Sequence, residues 1–117
     1  MIKTFQDLDA YKRVKVLFGE LVTTVNKFPP KYHFLLSHLL RAANSVSSNI
    51  AEGFGRSEAE FKKYLTSSLG SNNEIISHLE NALTVKCINQ DIYDDLVVKY
   101  TVLGKQIYQL REKWKNF

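Results

Sequence analysis

Leu36-Ser37-His38-Leu39-Leu40-Arg41-Ala42-Ala43-Asn44-Ser45-Val46-Ser47-Ser48-Asn49-Ile50-Ala51-Glu52-Gly53 is the stretch from which the architecture is read. Leu36, Leu39, Ala43, Val46, Ile50 and Gly53 recur at steps of three and four, which sets them along one face of a helix. The same stepping runs outward in both directions. Tyr11, Val14, Phe18, Leu21, Val25 and Phe28 precede it. Phe61, Leu65, Ser68, Asn72, Ile75, Leu79 and Ala82 follow, and then Leu96, Tyr100, Leu103, Ile107, Leu110, Trp114 and Phe117. Four such seams predict four amphipathic helices.

The punctuation agrees with the seams. Pro29-Pro30 cannot lie inside a helix, so the first helix ends near Lys27. Gly53-Phe54-Gly55 breaks the second, and Ser57-Glu58-Ala59-Glu60 is a capping-box pattern that opens the third. Asn89, with Asp91 in the turn after it, starts the fourth beyond a break at 86–88. Connections of roughly 3–6 residues make sequential helices antiparallel neighbours. The prediction is an all-α, antiparallel up-down-up-down four-helix bundle filling 1–117 as a single domain. Leu36, Leu39, Phe61, Leu65, Ile75, Leu103 and Ile107 should be largely buried. Ser68 and Asn72 sit on a seam although they are polar, so each should hydrogen-bond to another helix or lie near the bundle edge.

Composition narrows the function. The chain has 117 residues, 44% hydrophobic and 24% charged, values that exclude a disordered or fibrous protein. A single cysteine, Cys87, permits neither an intrachain disulfide nor a Cys-based zinc site. The first residues lack the apolar core of a signal peptide and no run of 18 apolar residues occurs, so a soluble, cytoplasmic protein is expected. His33, His38 and His78 lack His-Glu-x-x-His spacing, and no Glu-x-x-His pair of the di-metal bundles is present. No catalytic residue, metal or cofactor is expected, and Cys87 reads as a small buried hydrophobe. Gly53-Phe54-Gly55-Arg56-Ser57 lacks the third glycine of a dinucleotide fingerprint and follows a helix. The free amides of the third helix, with Arg56 and Ser57 beside them, could hold a phosphate; the plainer reading is one helix ended by glycine and the next one capped.

Net charge is +4, and the excess lies in residues 1–56, because 57–117 carries as many acids as bases. Lys12, Arg13 and Lys15 lie off the first seam, while Lys99, Lys105, Arg111, Lys113 and Lys115 enrich the last helix. These are candidate phosphate contacts. The run 42–51 is free of charge, and about opposite its apolar face lie Arg41, Ser45, Ser48 and Glu52, with Asn44 and Asn49 nearby. Serine and asparagine are poor helix formers, so an exterior made of them suggests the close approach of another subunit.

Phe28-Pro29, Leu40-Arg41-Ala42-Ala43-x-Ser45-Val46-x-x-Asn49-Ile50-Ala51-Glu52-Gly53, then Arg56, Phe61, Leu65, Gly70-Ser71 and Glu74 resemble the bacterial four-helix-bundle proteins of intervening sequences in large-subunit ribosomal RNA genes. Phe5-x-x-Leu8 and the helix count extend the likeness over nearly the whole chain. The resemblance implies a non-enzymatic, ribosomal-protein-like homo-pentamer, with Arg41, Ser45, Asn49, Glu52, Gly53 and Arg56 as signature positions. Relatives in diversity-generating retroelements form pentameric barrels that bind a reverse transcriptase and nucleic acid. Two functions follow as expectations. One is an oligomeric module that binds RNA or DNA through backbone phosphates, and the other is a scaffold that grips a polypeptide such as a reverse transcriptase.

Overall fold

The computed structural model describes residues 1–116, and Phe117, the last position of the fourth seam, lies outside them. Four α-helices form: α1 (Asp9–Val25), α2 (His33–Gly53), α3 (Glu58–Thr84) and α4 (Gln90–Lys113). Among the described residues there is no strand. Helices consecutive in sequence pack on one another, α1 also packs on α4, and the α2–α3 pairing is the most extensive. The result is an antiparallel up-down-up-down bundle about 48 Å long and 22 by 19 Å across.

The ends of the helices have local causes. α1 stops at Val25, two residues earlier than the prolines alone suggest. Residues 26–32 then form a longer connection than expected, tightened by a 3-10 turn over Pro30–Tyr32 and anchored by buried Phe28. The Ser57 hydroxyl accepts from the Glu60 amide at 3.2 Å and donates to its carboxylate at 3.0 Å, so the first turn of α3 is capped by its own residues. The Asn89 side chain likewise accepts from the Ile92 amide at 2.9 Å. α3 is terminated by Lys86 in the left-handed region, φ 66°, and the Cys87 amide turns back to Ala82 O at 2.8 Å.

The seams bury most of what they should, with corrections in α1 and α2. Leu39, Phe61, Leu65, Ile75, Leu103 and Ile107 are fully buried, but Leu36 is only half-buried and Leu35 takes the interior place. Two adjacent leucines both satisfy a 3–4 spacing, and Leu35 is the one that the core takes in. In α1, Leu17 is buried while Phe18 is half-exposed, so the inward stripe reads Ala10, Val14, Leu17, Leu21 and Val25. The two polar seam residues both hydrogen-bond across helices. Ser68 Oγ donates to Val46 O at 2.8 Å, and Asn72 Nδ2 donates to Tyr100 O at 2.8 Å. They join α3 to α2 and to α4, which lets long polar positions sit in a dry interior.

Gly53 marks the closest approach of α2 to α3. A Cβ added there would lie 2.5 Å from Tyr64 Cβ and 3.0 Å from Phe61 Cδ1. Gly53→Ala must therefore push the helices apart, and the expected cost is about 1–3 kcal/mol in a urea titration. Gly70→Ala, inside α3 with open space around the new methyl, should instead gain up to about 1 kcal/mol from helix propensity and serves as the control. Equal midpoints for the two variants would contradict this packing.

Candidate functional site

Folding brings together charges that the linear sequence keeps apart. The N-terminal halves of α1 and α3 and the C-terminal halves of α2 and α4 meet at one end of the bundle. Arg13 Nε donates to Gln106 at 2.9 Å, Arg111 Nη1 to Thr66 at 3.0 Å, and Asn116 Nδ2 to Arg56 O at 3.4 Å across that end. Eleven of the sixteen lysines and arginines lie there: Lys3, Lys12, Arg13, Lys15, Arg56, Lys62, Lys63, Lys105, Arg111, Lys113 and Lys115. Only Asp7, Asp9, Glu52, Glu58, Glu60 and Glu112 oppose them. The opposite end holds Asp91, Asp94, Asp95, Glu20, Glu74 and Glu80 against five basic residues. The bundle is thus a long dipole with one basic pole. The split between chain halves read from the sequence missed this, because antiparallel helices interleave both halves at each end.

The candidate phosphate contacts differ in how free they are. Lys12, Lys105, Lys113 and Lys115 are exposed and make no ion pair among the described residues. Lys15 is also exposed, with its ammonium 5.1 Å from the Tyr11 ring centre, and Arg13 holds Gln106. Arg111 is half-buried, bonded to Thr66, beside Glu112 at 3.2 Å, and 5.0 Å from the Tyr108 ring centre. Lys99 is committed elsewhere: it bridges Glu20 of α1 and Asp95 of its own helix. Its hydrogen bond to Glu20, then that to Asp95, raises its pKa and keeps it charged.

The signature residues on α2 split into two groups. Arg41, Ser48 and Glu52 are exposed, with Asn44 beside them. Ser45 does not face outward with them; its hydroxyl accepts from Ser71 of α3 at 2.9 Å and from Asn49 Nδ2 at 3.1 Å. Gly53 is buried under Tyr64, and Arg56 donates to Glu52 O at 2.8 Å while lying 5.0 Å from the Tyr64 ring centre. So Ser45, Asn49, Gly53 and Arg56 serve the α2–α3 seam and its exit, and the outward polar stripe narrows to Arg41, Asn44, Ser48 and Glu52. The hydroxyl of Ser48 folds back onto Asn44 O at 2.9 Å. Gly53 ends α2 and Ser57 caps α3, as the plainer reading of 53–57 expects.

His38 and His78 stack across α2 and α3 with ring centres 5.3 Å apart, and His78 contacts Glu74 at 3.2 Å. No group of three His, Cys, Asp or Glu side chains among the described residues is arranged to hold a metal ion. Burial raises the pKa of the Cys87 thiol, which lowers its nucleophilicity at neutral pH. No helix among the described residues is long and apolar enough to cross a membrane.

The family model described as 23S rRNA-intervening sequence protein matches residues 6–109 of the chain. No curated protein matches it significantly.

Proposed function

The chain belongs to the 23S rRNA-intervening sequence protein family, and from that premise we propose that it is a non-catalytic, oligomeric module that binds nucleic acid through backbone phosphates. The observation that carries this reading is the basic pole, where Lys12, Lys105 and Lys113 stand exposed around the α1–α4 junction. Clustered lysines neutralise phosphates and release condensed counterions, which supplies affinity without any base-reading motif. A homo-pentameric barrel is the favoured assembly, located in the cytoplasm and needing no cofactor. Five copies with their long axes aligned would bring five basic poles to one rim and strengthen the field there. The narrow stripe of Arg41, Asn44, Ser48 and Glu52, uncharged at its centre, supports contact with another copy.

Light scattering should give several times the monomer mass. Filter binding of a short RNA should weaken steeply as salt rises, by about 10³-fold or more between 50 and 200 mM if six or more phosphates are engaged. Undetectable binding at about 50 mM salt, where screening is weakest, would overturn the nucleic-acid reading. The second reading is a scaffold for a polypeptide such as a reverse transcriptase. It is supported by Val98 and Val102, which are 62% and 43% exposed one turn apart on α4. Its signature would be a protein partner retained independently of salt.

A further inference from the structure

α1 and α4 form the least extensive of the four helix pairings, and the gap between them is a continuous groove on the bundle surface. Three hollows of about 340, 580 and 470 Å³ follow one another along it. The first two share Asp9 and Gln106, and the last two share Glu20. Val16 lines the middle hollow and is 66% exposed. The bonds from Arg13 to Gln106 and from Lys99 to Glu20 fix the register of the two helices, so Val16 stands level with Val102. On α4, Asp91, Asp95, Val98, Val102, Gln109 and Lys113 recur at steps of three, four and seven. That spacing sets them in one stripe beside the groove, turned away from buried Leu96, Tyr100, Leu103 and Ile107. Asp91 and Lys113 stand at the ends of the stripe, exposed and without an ion pair among the described residues. An apolar patch of Val16, Val98 and Val102 is thus flanked by an unspent acid at one end and an unspent base at the other.

We infer that this face is covered by a second copy of the chain, packed antiparallel about a two-fold axis at Val102. The stripe is complementary to itself in that orientation. Asp91 lies eleven residues before Val102 and Lys113 eleven after it, roughly 16 Å along the helix each way. Reversing one copy therefore sets each Asp91 opposite the other copy's Lys113, whereas a parallel pairing in register sets like charge against like. Asp95 in turn meets the uncharged Gln109 rather than another acid. At the axis Val16 and Val102 of both copies close on one another with Val98 at the edge, so three exposed valines leave water together. Such a contact is isologous, and each pair across it occurs twice. The charge pairs at its rim fix orientation and register more than they add affinity. α2, with its own polar outward stripe, is diagonal to α4, so this contact adds to an assembly built through α2 and does not compete with it. The inference goes beyond the nucleic-acid reading and does not rest on it.

Packed helix axes lie about 8–10 Å apart, so a residue on the two-fold axis reaches its own counterpart. The test uses chains whose one cysteine is removed by Cys87→Ser. In that background Val102→Cys is treated with a short bismaleimide beside Ser67→Cys, an exposed position of α3. Val102→Cys should become mostly covalent dimer, at least about tenfold more than Ser67→Cys, because the contact holds its two thiols together. A ring joined through α2 alone brings no residue to its own counterpart. A high mass without this cross-link would therefore overturn the inference while leaving the oligomeric reading intact, and the face would belong to another polypeptide or to solvent. Equal cross-linking of the two chains would also overturn it. Asp91→Lys should weaken association about tenfold at low salt, and adding Lys113→Asp to the same chain should restore it. Both reversals oppose the dipole of α4, so damage to the helix itself would deepen in the double variant instead of recovering. Failure of the double variant to recover would overturn the antiparallel register.

Discussion

Replacing Phe61 by alanine is expected to lower the unfolding free energy by about 3–5 kcal/mol. Phe61 is 1% exposed at the first turn of α3, and it joins three elements through its ring. It meets Phe54, just after α2, edge-on at 5.8 Å, and Trp114, just after α4, edge-on at 5.0 Å. Phe54 and Trp114 also touch, with centres 5.7 Å apart, so the three rings close the basic end of the bundle. Aromatic pairs of this geometry add about 0.5–1.5 kcal/mol each beyond the area they bury. Truncation would leave a void that two half-buried rings cannot fill without moving the ends of α2 and α4. The midpoint of thermal unfolding should fall by at least about 10 °C. Leu36→Ala supplies the contrast, since Leu36 is half-buried and its loss removes contacts without opening an interior cavity. Its cost should be less than half that of Phe61→Ala. Equal losses for the two variants would mean that the inward stripe of α2 has been assigned to the wrong residues.

Much of this architecture is legible in the chain because helix spacing is a local property. Phe61 through Ala82 hold one seam over the whole of α3, and even the polar members Ser68 and Asn72 lie where their spacing puts them. The capping residues Ser57 and Asn89 were equally legible, since a cap acts on amides two or three positions away. What spacing does not give is the width of surface that neighbouring helices cover. Leu36 lost its place to Leu35 because a 3–4 spacing alone does not decide between adjacent leucines. Ser45 has the character of an outward serine until α3 arrives with Ser71 opposite it. The basic pole is invisible for a different reason. It exists only once Lys12 and Lys105, 93 residues apart in the chain, are drawn to the same end by antiparallel packing. The unpaired carbonyl oxygen of Asn72 is likewise a product of pairing, since nothing near it in the chain announces it.

The second large effect concerns the location of charge. Lys12→Gln, Lys105→Gln and Lys113→Gln together remove three positive charges from the basic pole. Lys27→Gln, Lys31→Gln and Lys86→Gln remove the same three charges from the opposite end. All six lysines are exposed, so neither set should change the fold. If affinity came from net charge alone, the two triple variants would be equivalent. If the pole is the contact surface, each lysine lost there removes about one phosphate contact, and the slope of log affinity against log salt should become shallower by about 0.9 per contact. The decisive measurement is therefore a filter-binding titration of one short RNA with the wild type and both triple variants, each at several salt concentrations. The account predicts that the pole variant loses both affinity and about three units of salt slope, while the opposite-end variant keeps nearly the wild-type slope. Identical slopes for the two variants would contradict it.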